Sequence, residues 1–181
     1  SDIDRLLEED KKKLDDWRRA IEKNLEDSER RAREIKERLK KLLDEVRREA
    51  ERLKEERKDD KDVLELIDRV VDTVRKLIEE VERVIDEVLR TSEKLVRDVK
   101  RAIDEVNERS KKLVEDARRD EKEDILREIA KRIEDLNKEV EDLLRTVHKE
   151  SRRLDREVEE IVRRVKEEID RLIREVREAA K

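Results

Sequence analysis

The chain holds one histidine, His148, and three residues further on comes Ser151. An imidazole beside a hydroxyl has the parts of a general base and a nucleophile. Acyl transfer also needs a carboxylate to orient the ring and N–H donors to hold the oxyanion. Neither follows from the surrounding residues. Side chains three apart are ordinary neighbours on a helix, and no loop is available to form an oxyanion hole. Di-metal centres in helical bundles use Glu-x-x-His pairs, but the residue three before His148 is Arg145. Structural or catalytic zinc needs several His or Cys ligands, and cysteine is absent. The paired carboxylates Glu79–Glu80 and Glu159–Glu160 each have Arg or Lys within one turn. They read as solvated salt-bridge faces rather than as acids with a raised pKa. No catalytic residue, metal ligand or cofactor is therefore expected.

The elements that would position these residues emerge from the apolar spacing. From Ile3 to Leu53, apolar or small residues recur at alternating steps of three and four. The pattern resumes from Val63 to Ala117 and again from Leu126 to Ala180. In the second and third series the mean step is 54 residues over 15 intervals, which matches a straight α-helix rather than a supercoiled heptad. Doubled positions such as Val70–Val71, Leu77–Ile78 and Leu143–Leu144 widen each stripe to what a bundle interior requires.

The phase is lost for more than a heptad at Lys54–Asp62, and a matching stretch runs from Ala117 to Ile125. Each places basic residues where a helix should end and an acid where the next should begin, the polarity that helix dipoles favour. Asp59 with Asp62, and Asp120 with Glu123, have capping-box spacing, and Ser1 with Asp4 repeats it. Ser1, Asp59 and Asp120 are the expected helix caps. The expected helices cover about 2–57, 61–117 and 121–180. Short connections between long helices call for an antiparallel, up-down-up, all-α three-helix bundle, with 1–181 as a single domain.

Polar residues on the apolar stripes can be matched by register. A reversal centred near residue 60 makes facing residues of helices one and two sum to about 120, and a sum of about 243 applies to helices two and three. Ser28, Ser92 and Ser151 then share a level, with Asn24, Thr91, Thr146 and His148 within about a turn of it. A second set gathers Asn107 with Asn137, and nearby Ser110, Asp10 and Trp17. The functional reading of such sets is a ligand or metal site in the core. The structural reading is a hydrogen-bonded layer that fixes register, or serines that bond back to their own helix. The structural reading is preferred, because each unsatisfied buried polar group costs about 1–3 kcal/mol. Trp17 reads as a core filler, since nucleic-acid surfaces interleave several aromatics with basic charge.

Composition agrees with this picture. Charged residues make up 60%, with 57 acids against 52 bases, and Gly, Pro, Cys, Met, Tyr and Phe are all absent. Average usage would supply roughly a dozen glycines and nine prolines. The net charge of −5 leaves no basic field for nucleic acid. No apolar run exceeds two residues, so no signal peptide or membrane span is expected. A soluble chain suited to cytoplasmic recombinant expression follows. The Gly- and Pro-free composition, uniform helices and paired charge-only loops resemble computationally designed helical bundles rather than a natural family. That resemblance implies a hyperstable monomeric scaffold with no required partner. The alternative is an interaction module, in which a groove takes a further helix or a second copy. Binding to membrane surfaces ranks last, because the polar faces carry both signs of charge.

Overall fold

The computed structural model describes the backbone of residues 2–120 and 123–181, and the side chains of 4–116, 118 and 127–181. It contains three α-helices: α1 (Asp2–Glu56), α2 (Lys61–Asp120) and α3 (Glu123–Ala179). Their uninterrupted length follows from their residues. Leu, Glu, Lys, Arg and Ala lose little side-chain freedom in a helix, and no Gly or Pro breaks the ladder. The inward Val and Ile are weaker helix formers, a deficit that burial of an amphipathic face offsets.

The turn after α1 is held by backbone bonds from Arg57 N–H to the Leu53 carbonyl (3.1 Å) and from Asp60 N–H to the Arg57 carbonyl (3.1 Å). Asp60, not Asp59, then caps α2. Its Oδ1 accepts from the Val63 N–H at 3.3 Å, and its carbonyl accepts the first intrahelical bond from Leu64 (3.1 Å), as an N-cap residue does. The expected cap is displaced by one residue because both Asp59 and Asp60 have the right chemistry, and only the turn geometry selects between them. Asp120 is the last residue of α2, and its side chain, on which the expected cap of α3 depends, lies outside the described set. Ser1 also lies outside the described residues.

Packing divides the chain into two compact units, Ser1–Ser28 with Arg90–Arg152, and Glu29–Leu89 with Arg153–Lys181. In the second unit a single apolar cluster joins all three helices. Leu39 and Val46 come from α1, Ile67, Val74 and Ile78 from α2, and Ile169 and Val176 from α3. The first unit has two clusters. One joins Leu14 and Ile21 to Val96, Val99, Ile103, Val106, Val140, Leu144 and Val147. The other joins Val114 to Ile129 and Ile133, with Leu6, Leu7 and Leu113 against them. Each fully buried Ile or Leu contributes about 1.5–3 kcal/mol relative to exposure.

Cross-helix ion pairs record the register. In the first unit α1 meets α2 at Asp4–Arg118, Arg18–Asp104 and Glu22–Lys100. In the second it does so at Lys36–Asp86 and Lys54–Asp68. The two residue numbers add to 122 in every pair, two more than the sequence estimate. Contacts from α1, or the turn after it, to α3, or the residues after it, instead keep a near-constant difference. Asn24–His148, Arg31–Asp155 and Arg57–Lys181 are each 124 apart, Asn24–Ser151 is 127 apart and Glu49–Arg177 is 128 apart.

Candidate functional site

Two sets of polar side chains face apolar surroundings, both in the first unit. The first centres on Asn24. Its Nδ2 lies 2.9 Å from His148 Nδ1, and its Oδ1 accepts a hydrogen bond from Ser151 Oγ at 3.2 Å. The amide thus has one end on an imidazole and the other on a hydroxyl. Ser151 is buried, while Asn24 and His148 are half-buried. As drawn, the amide N–H donates to Nδ1, which places the ring proton on Nε2. The same three groups are equally satisfied with the amide turned over, Nδ1–H donating to Oδ1 and Nδ2 to the serine oxygen. In neither state does Ser151 give its proton to His148, so the base–nucleophile contact that the spacing raised is not formed.

Of the seven residues expected from the sequence to share a level, Asn24, His148 and Ser151 are joined by these hydrogen bonds. Thr146 is exposed, and its hydroxyl donates to the Asp142 carbonyl of its own helix at 3.0 Å. Thr91 is exposed as well, and Ser28 and Ser92 are half-buried. Ser151 bonds to Asn24, one turn before Ser28. The reason is register: sums of 120 and 243 imply an α1-to-α3 difference of 123, and the observed differences run from 124 to 128. A shift of a few residues is enough to exchange one inward position on a helix for the next.

The second set is more deeply placed. Asp10, Ser110 and Asn137 have relative exposures of 3%, 0% and 8%. Both carboxylate oxygens of Asp10, the Ser110 hydroxyl and the Asn137 carbonyl oxygen have no hydrogen-bond partner among the described residues. Mutual hydrogen bonding of these three side chains, expected from the sequence, is therefore not what holds them. Asn107 is half-buried. Trp17 is half-buried against the Leu14–Ile21 cluster, with the Lys13 ammonium 5.3 Å from its ring centroid, within cation–π range.

Surface electrostatics follow local pairing. Hydrogen bonding to Lys100 holds the Glu22 carboxyl below its usual value. Arg52, with Arg177 adding to it, does the same for Glu49. Arg75 and Lys76 lower Asp72, and Arg171 lowers Glu168. The hydrogen bond to Asp68 raises Lys54. Asp155 runs the other way: desolvation pushes its carboxyl up despite the Arg31 guanidinium 2.7 Å away. Among the described residues there is no group of three or more His, Cys, Asp or Glu side chains arranged to hold a metal ion. No described helix is long and apolar enough to cross a membrane.

The fold and these interior contacts define an all-α protein of three helices, with polar side chains set into its apolar packing. No protein-family model, curated protein or solved structure matches the chain.

Proposed function

We propose that the chain is an idealised structural scaffold, of the kind produced by computational design. In this reading it is an antiparallel, up-down-up bundle whose interior polar contacts specify how the helices align. The observation that carries this reading is the Asn24 amide, which joins His148 and Ser151 of α3 across the interior. A polar side chain spent on other polar side chains of the same interior specifies alignment and is not presented to a substrate. The constant residue-number sums and differences of the cross-helix contacts support the up-down-up path. Sedimentation over a wide concentration range tests the scaffold reading. A single species at 22.1 kDa is expected, and mass-action growth to a larger species would overturn it.

One feature favours a second reading, a module that takes a further helix or a second copy of the chain. Leu143 is the exposed large hydrophobic among the described residues, at 41%. Elsewhere on the first unit, a groove of about 390 Å³ is lined by Leu113 and Leu136 together with Arg109, Lys112, Arg132 and Glu139. The same sedimentation series separates the scaffold from self-association.

A further inference from the structure

We propose that Asp10, Ser110 and Asn137 form a binding site for a monovalent metal cation, sodium or potassium, inside the first unit. Each helix supplies one residue, and each sits at the break between the two apolar clusters of that unit. On α1, Asp10 lies between Leu7 of one cluster and Leu14 of the other. On α2, Ser110 lies between Val114 and Val106, and on α3, Asn137 lies between Ile133 and Val140. Register agrees with this. The Asp10–Asn137 difference of 127 equals that of the bonded Asn24–Ser151 pair. The Asp10–Ser110 sum of 120 is within two of the value shared by all the α1–α2 ion pairs.

The unmet atoms are Asp10 Oδ1 and Oδ2, Ser110 Oγ and Asn137 Oδ1, each with less than 1 Å² of accessible surface. All four are hard oxygen donors, the kind that alkali and alkaline-earth cations prefer. A buried carboxylate without a counter-charge costs several kcal/mol, so an occupant should carry positive charge. One positive charge makes the site neutral, whereas a divalent ion would leave a net charge in apolar packing. Mg²⁺ also gives up its waters reluctantly. A further helix cannot reach these atoms, because the three helices already enclose them.

Urea unfolding of the full chain at constant ionic strength, with choline, sodium or potassium as the cation, tests the assignment. Sodium or potassium should raise the folding equilibrium constant over choline, by about a hundredfold once the ion reaches a hundred times its dissociation constant. Asp10→Asn and Asp10→Leu should abolish the difference, and Asp10→Leu should fold at least as firmly as the parent. Broadening of the sodium resonance, reversed by potassium and missing in Asp10→Leu, gives a readout that does not depend on unfolding. Equal stability in all three salts would overturn the proposal, pointing to a bridging water. A cation response that survives in the variants would also overturn it, as would an Asp10-dependent response to millimolar Mg²⁺ or Ca²⁺ alone.

Discussion

Asn24 shows how much one side chain can settle. Truncation in Asn24→Ala leaves the buried Ser151 hydroxyl and the imidazole face without their partner, so the cost is that of stranded polar groups. A loss of about 1–3 kcal/mol in unfolding free energy is expected from denaturant titration. Thr146→Ala, in contrast, removes only a bond back to its own helix and should move stability little. Carboxylates give a second residue-level expectation. Glu22, Glu49, Asp72 and Glu168 bind protons less readily when folded, so the stability they contribute is lost as the pH falls through and below the usual carboxylate range. Asp155 binds its proton more readily when folded and contributes the opposite slope. Urea midpoints should therefore fall gently from about pH 6 to about pH 3. Asp155→Asn should steepen that fall, and high salt should flatten it. The single histidine drew attention in the sequence for its nearness to Ser151, yet its contact is with Asn24, 124 positions away. Local spacing carries no information about such a partner.

Helices are where sequence reading went furthest. The 3.6-residue period and the charge-only connections place α1, α2 and α3 to within three residues at every end, because apolar spacing and helix geometry are the same constraint seen twice. Turn detail was harder to read. Two adjacent aspartates compete for one cap, and the winner depends on φ and ψ that no residue type dictates. Asp60→Ala should cost about 1 kcal/mol, while Asp59→Ala should cost only tenths; thermal melts of the two variants decide between them. Register between helices was estimated from loop centres and came out two residues short for α1 and α2. The observed register can be checked with charges. Lys100→Glu should repel Glu22, and adding Glu22→Lys should restore the pair. The coupling in a double-mutant cycle should be favourable but small, and should fade at high salt.

At the scale of the whole molecule, the absence of Gly and Pro and the strong helix propensity throughout favour a high melting temperature. Circular dichroism should show little loss of helix below about 90 °C, and a transition near about 50 °C, common for mesophilic domains, would refute this. Charges of both signs are interleaved along the helices, at net −5. The two compact units were not readable in the chain, since the apolar period runs through Ser28, Leu89 and Arg152 without a change of phase.

The turn at Arg57–Asp60 carries a kinetic consequence. Lys54 meets Asp68 only fourteen residues on, whereas Asp4 must find Arg118 across 114. Loop closure is cheapest for the first of these, so pairing should start at the Asp60 turn and zip outward along α1 and α2. Disturbing the turn would then slow folding and leave the unfolding rate nearly unchanged, a transition-state signature opposite to that expected for changes near Asp4.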